Sequence, residues 1–348
     1  APSAEFYLWG RSVTAAFGTA TIALVFFIGR RIGLVAAAAA ALLLAIQPMH
    51  VRESHFILTD VPMTFFATLA ILLTLRAHER ATWRAYFAAG LAVGLAAATK
   101  YHGGSTLVLP LMTLAMRRGS TASLRHGLLA IVGGAALAFL AAAPYTLLDL
   151  PAFLNKFGTL SHMYAVGPPA IEPGWLTYLK HLRLNLGWPG VILAGASMLV
   201  ALERAWRAPA AERATWATLA AFVVLTFWLV AGQRLIYGRY MLPILPPLAV
   251  LMGGTIAWIV AGARTRLVHR FSPAVLAGAL LLALGAQPVA QSIGWLQFSR
   301  RGGTAELTYR WAMDFLPAGA KVGFYEKSGV RIRYAEIGSG FPLLATPG

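Results

Sequence analysis

What most constrains this chain is a succession of apolar runs, each near the length that crosses a bilayer, separated by short arginine-rich segments. About 20 apolar residues span the hydrocarbon core as a helix, because backbone polar groups there must be satisfied within the segment. Ser12 to Ile28 is the first run, stopped by Arg30 and Arg31, and Leu34 to Ile46 is the second, closing at Pro48. Val61 to Leu75, Ala85 to Ala98, Ser105 to Met116, Gly127 to Leu148, Trp188 to Leu202, Thr215 to Ala231, Met241 to Ala261 and Val275 to Ile293 follow. These runs predict an all-α polytopic membrane protein with about ten transmembrane helices. Composition agrees: of 348 residues 58% are hydrophobic and only 12% charged, with a mean hydropathy of +0.67.

A net charge of +17 would suit a nucleic-acid partner if it formed a continuous basic face. Here the charge falls in short loops between apolar runs, which is a topology signal and excludes nucleic-acid binding as the main reading. There is no cysteine, hence no disulfide frame, thiolate metal site or cysteine nucleophile. The clusters Arg30/Arg31, Arg76/Arg80/Arg84, Arg117/Arg118/Arg125, Arg204/Arg207/Arg213 and Arg264/Arg266/Arg270 occupy every second loop. By the positive-inside rule those loops are cytoplasmic. The segments Gln47 to Asp60, Lys100 to Gly104, Asp149 to Leu186 and Gly232 to Tyr240, with everything after Ile293, then share the extracytoplasmic face, and so does the N-terminus. Ala1 is not a methionine and no basic leader precedes the first run, so the chain is expected to begin inside a longer protein.

The unusual polar residues all fall on that outer side. In QPMHVRESHFILTDVPMTFF (Gln47 to Phe66), His50, Arg52, Glu53, His55 and Asp60 crowd between two apolar runs. Asp60 before Val61-Pro62 reads either as a helix N-cap or as a carboxylate held at the interface to bind an acceptor or orient a catalytic group. Arg52 suits an anion, and His55 faces water or lipid headgroups. The spacing of the His and acidic residues matches no zinc motif; no metal site is assigned, although a divalent ion is compatible with the segment. Lys100, in TKYHGG with His102, reads either as a snorkelling lysine or as a phosphate ligand beside a glycine pair. Arg234, Tyr237 and Arg239, in GQRLIYGRYMLPILPP, put positive charge on the face where topology disfavours it, and two guanidiniums can grip a diphosphate or phosphate ester.

The chain divides into a polytopic domain over 1-294 and an external segment over 295-348. In that segment Thr304 to Leu316 has amphipathic helical spacing, and Lys321 to Tyr325 alternates like a strand. It reads as the opening of an external α/β domain.

The order of Arg11-Ser12 and Gly29-Arg30-Arg31 around the first run, then SHFILTDVPMTFF, GLAVGLAAATKYHG, GRYMLPILPPLA and TYRWAMDFLPAGAKV resembles membrane glycosyltransferases of the GT-C class. It is most similar to glycosyltransferase family 39, the group of protein O-mannosyltransferases and the lipid A aminoarabinose transferase. The resemblance implies a GT-C-like fold and an inverting enzyme. Such an enzyme moves a sugar from a polyprenyl-phosphate donor to an acceptor hydroxyl of a lipid, glycan or protein on the extracytoplasmic face. It also implies that the principal catalytic base, an acidic residue or acidic pair, belongs to an external loop ahead of Ala1. Asp60 matches the acidic residue opening a later helix of the family, Lys100 the lysine of its alanine-rich Thr-Lys segment, and Arg239 and Tyr240 the Arg-Tyr before Leu-Pro. Two other classes fit many helices: a lipid or polysaccharide transporter, which should show internal repeats or charges in mid-span, and a non-catalytic membrane subunit, which needs no external cationic pocket.

Overall fold

The computed structural model describes residues 4–117, 121–166, 172–266, 273–300, 314–315, 321–327, 330–336 and 343–345. Two compact units divide the chain, Ala1–Ser292 and Ile293–Gly348.

The first unit is helical. In order come α1 (Ala4–Gly29), α2 (Leu34–Ala45), α3 (Pro48–Glu53), α4 (Asp60–Arg80), α5 (Trp83–Thr99), a 3-10 turn (Tyr101–Leu107) and α6 (Val108–Ala115). Then follow α7 (Thr121–Ala142), α8 (Tyr145–Leu148), α9 (Leu150–Val166), α10 (Gly174–Arg207), α11 (Ala210–Ala231), a second 3-10 turn (Gly238–Ile244), α12 (Leu245–Arg266) and α13 (Pro273–Arg300), which runs on past Ser292. Among the described residues seven helices are long and apolar enough to cross a membrane, and α2 is a shorter apolar helix. This is a multi-pass membrane protein. The sequence count of about ten also included the segments that fold as α2, α5 and α6; at 17 residues α5 rises only about 25 Å.

The tightest pairing is α5 against α7, where Gly90 and Gly94 lie one turn apart on α5 and Gly134 lies opposite. A Cβ at any of the three would run into backbone of the facing helix. Small residues of this kind let membrane helices pack at backbone distance, where apolar burial gives no advantage over lipid. The larger core joins α1, α2, α4, α11 and α12 through Val25, Ile28, Leu44, Met63, Leu219 and Leu251.

The stretch from Asp149 to Leu186, expected as a polar loop, is largely helical. It forms α9 and the first turns of α10. α10 bends at Gly187, whose φ of 68° is left-handed, just ahead of Pro189, which has no N–H to give the ladder. The second unit contains a three-stranded antiparallel sheet, β1 (Lys321–Lys327), β2 (Val330–Glu336) and β3 (Leu343–Ala345), with Lys321 opposite Glu336 and Arg333 opposite Ala345. The amphipathic helix expected over 304–316 lies outside the described residues except for Asp314 and Phe315.

What matters for chemistry is where α4 begins. The two 3-10 turns, one after α5 and one before α12, both pack against it.

Candidate functional site

α4 starts at Asp60, with Thr59 as the flanking residue and Pro62 in the first turn, where a missing amide proton breaks no helical bond. Thr64 Oγ1 donates to the Asp60 carbonyl oxygen at 2.7 Å and Thr68 Oγ1 to that of Thr64 at 2.7 Å, which keeps these hydroxyls out of the apolar core. The Asp60 carboxylate sits where the helix dipole favours negative charge. It does not serve as a simple cap. Its side chain is 3% exposed, Lys100 Nζ donates to Oδ1 at 2.7 Å, and Arg239 Nε stands 3.6 Å from Oδ2.

Lys100 ends α5 in extended conformation (φ −159°, ψ 126°), its amide donating to Ala96 O at 3.0 Å. Its carbonyl oxygen accepts from the Gly103 amide at 2.8 Å, so that amide is already engaged. A side chain at Gly103 would meet Ala96 O and Met63 Cγ; glycine lets the chain fold back onto α5. That fold directs Lys100 inward to Asp60 instead of outward to lipid headgroups.

The second turn supplies the other wall. Tyr240 is buried, and Lys100 Nζ lies 4.3 Å from its ring centroid, within cation–π range. Arg239 lies over the Tyr237 ring at 4.5 Å. Tyr164, on α9, shares a hydroxyl hydrogen bond of 2.6 Å with Tyr240, while Tyr164 O accepts from the Arg234 amide at 3.1 Å. Nearby on α9, Phe153 and Phe157 pack edge-on against Tyr101 at 5.9 and 5.4 Å. His102 lies 6.1 Å from Tyr240 between ring centroids, with its Nε2 buried and without a hydrogen-bond partner. Burial pushes His102 down to about 4, helped by the Lys100 ammonium and opposed by Asp60, so the imidazole is neutral at physiological pH. One carboxylate therefore faces two cations, and Arg239 Nε remains without a hydrogen bond.

Six of the residues singled out in the sequence thus come together: Asp60, Lys100, His102, Tyr237, Arg239 and Tyr240. Arg52 instead pairs with Glu53, Nε to Oε1 at 2.9 Å, and His55 Nδ1 lies 2.7 Å from Val51 O. Arg234 approaches through its backbone. Near them His50 is buried with Nε2 3.1 Å from Gly18 O. Among the described residues no three His, Asp or Glu side chains are grouped to hold a metal ion.

Tyr164 is the member whose partnership the sequence did not reveal. In sequence it is one aromatic in an aromatic-rich segment, and nothing local marks its pairing with Tyr240, 76 positions away.

A buried carboxylate facing two cations at the start of α4, bordered by tyrosines, is the charged cluster of this polytopic membrane protein. The family profile described as dolichyl-phosphate-mannose-protein mannosyltransferase matches residues 2–156. Among solved structures the chain is similar to ArnT from Cupriavidus metallidurans bound to undecaprenyl phosphate (20% identity, 84% of this chain and 58% of that one, TM-score 0.54). It is also similar to the same protein in the apo state (18%, 82% and 60%, TM-score 0.52), and to the Archaeoglobus fulgidus oligosaccharyltransferase in the apo form (17%, 80% and 44%, TM-score 0.51). No curated protein matched by sequence. The chain has the GT-C fold, as its sequence resemblance implies, and it spans between 44% and 60% of the length of these structures.

Proposed function

We propose that the protein is a GT-C glycosyltransferase that takes a sugar from a polyprenyl-phosphate carrier and passes it to an acceptor hydroxyl on the extracytoplasmic face. The observation that carries this reading is the surplus of positive charge around Asp60: Lys100 and Arg239 share one carboxylate. In displacement at an anomeric carbon the C–O bond to the carrier phosphate breaks, the acceptor oxygen forms the new bond, and the phosphate leaves with negative charge. Fixed cations at that oxygen stabilise the charge as it develops. Lys100 and Arg239 take this role, and His102 and Tyr237 border the phosphate. Asp60 commits its oxygens to the two cations and so acts by holding them in place; the acceptor's proton goes to a different base. Tyr240 forms the floor under Lys100, and Tyr164 fixes Tyr240.

The carrier's chain has an apolar place to lie. A groove of about 630 Å³ between α10, α11 and α12 is lined by Trp175, Leu179, Phe227, Trp228 and Leu248, and it reaches Ile244 in the turn that holds Arg239 and Tyr240. The ArnT structure bound to undecaprenyl phosphate supports the choice of carrier. Arg234, whose amide is held at Tyr164 O, is assigned with Arg239 to the phosphate side of the same surface.

The test is transfer from polyprenyl-phosphate sugars by the full-length protein in membranes. Lys100→Met and Arg239→Met are each expected to lower kcat/KM by about 100-fold, the scale of removing one charge-stabilising donor. Unchanged transfer in both variants would remove the assignment.

A further inference from the structure

At the far end of α4 the chain builds a second polar site. α4 has 21 residues, about 30 Å at the helical rise, which equals the thickness of a hydrocarbon core. Its last turns therefore surface at the membrane face opposite Asp60, carrying Arg76 and Arg80. Ala81 takes a left-handed φ of 58°, and Thr82 Oγ1 accepts from the Ala85 amide at 3.3 Å, so the chain reverses within two residues and α5 begins at once. This tight reversal sets Trp83 and Arg84 beside Arg76 and Arg80. Together they enclose a cleft of about 590 Å³ with Leu73 and Ala88 on its walls.

Two neighbouring cations on this face have partners. Arg31 pairs with Glu79, and Arg117 Nη1 donates to His78 O at 2.6 Å. Glu79, which lies between Arg76 and Arg80 in sequence, thus turns away from the cleft. Among the described residues no carboxylate pairs with Arg76, Arg80 or Arg84. Arg84 instead lies 5.6 Å from the Trp83 ring centroid, which restrains its guanidinium. A topology signal requires positive charge in a loop but no cleft. Three unpaired guanidiniums around one cavity are suited to phosphate oxygens, which they can bind through paired N–H donors. Leu73 lies one turn deeper than Arg76, and Ala88 one turn deeper than Arg84, so the walls become apolar toward the membrane interior. Trp83, 58% exposed, is at the depth where indoles anchor to headgroups.

We propose that this cleft binds an anionic phospholipid, with the headgroup phosphate held by Arg76, Arg80 and Arg84 and an acyl chain lying along Leu73 and Ala88 between α4 and α5. The charge complementarity and the change from cationic mouth to apolar wall select a lipid over a free ion. The site is separate from the Asp60 cluster and does not depend on its assignment.

Native mass spectrometry of the full chain from detergent tests this, with dioleoyl phosphatidylglycerol, dioleoyl phosphatidylcholine and inorganic phosphate offered separately. The wild type is expected to retain phosphatidylglycerol and neither alternative. The triple variant R76Q/R80Q/R84Q is expected to bind it at least about tenfold more weakly, with its thermal midpoint in lipid-free detergent unchanged. A88F keeps every charge but fills the cleft, and it should lose the lipid as well; it decides the matter if the triple variant fails to fold. Retention of phosphatidylglycerol by A88F, equal retention of phosphatidylcholine, or an equivalent response to inorganic phosphate would overturn the proposal.

Discussion

Replacing Asp60 by Asn separates two physical accounts of the start of α4. If Asp60 were a helix cap, Asn would serve nearly as well, and stability would change by less than about 0.5 kcal/mol. In the structure the carboxylate is 3% exposed and faces Lys100 at 2.7 Å and Arg239 at 3.6 Å. Breaking a fully buried ion pair by removing one partner costs about 3–5 kcal/mol. The Lys100 side chain is 21% and that of Arg239 36% exposed, so water recovers part of this; Arg239 makes no hydrogen bond through Nε and adds less. The expected loss for Asp60→Asn is about 2 kcal/mol. Unfolding in mixed micelles of rising SDS fraction, followed by far-ultraviolet circular dichroism, gives this value. A cycle with Lys100→Met should return a coupling of about 1 kcal/mol or more. A loss within about 0.5 kcal/mol, or strict additivity with Lys100→Met, would refute the ion-cluster account.

Tyr164→Phe removes the hydroxyl that pairs with Tyr240 and should cost about 1 kcal/mol, read as a several-fold loss in carrier affinity; unchanged affinity would show that the contact holds nothing in place. Stability should also depend on pH below neutrality. Burial pushes both His50 and His102 down to about 4 from an ordinary value of 6.5. The folded chain keeps them neutral while the unfolded chain takes up protons, so their contribution is complete above pH 6.5 and is lost as pH falls toward 4. Thermal midpoints should fall over that window and fall less steeply in His102→Asn; an identical slope would contradict the assignment.

Much of this arrangement was legible in the sequence, because charge beside an apolar run is costly and therefore informative. That reasoning marked Asp60, Lys100 and Arg239, and the alternation of arginine clusters with apolar runs marked a multi-pass protein. Partnership was less legible. Asp60 reads as a cap because capping is a local pattern, whereas its ion pairs come from positions 40 and 179 residues later, fixed only when α4, α5 and the turn before α12 pack together. Arg52 reads as an anion ligand until its neighbour Glu53 is seen to occupy it. The stretch containing α9 reads as a loop since its hydropathy is mixed, and helix formation there follows from docking Phe153, Phe157 and Tyr164 onto aromatic partners. The span count drifts for a related reason. α5 and α6 are apolar enough to look like crossings, yet they are short and interrupted by the turn that places Lys100.

In the proposed mechanism the cations around Asp60 hold the phosphate of a lipid carrier. The most direct test is equilibrium binding of undecaprenyl phosphate to the purified full-length chain, wild type against Lys100→Met/Arg239→Met, with undecaprenol as the uncharged control. Saturable binding of the phosphate by the wild type, reduced about 100-fold or more in the double variant and absent for undecaprenol, is the predicted result. Equal affinity of the two proteins, or binding of undecaprenol as tight as that of its phosphate, would contradict the account.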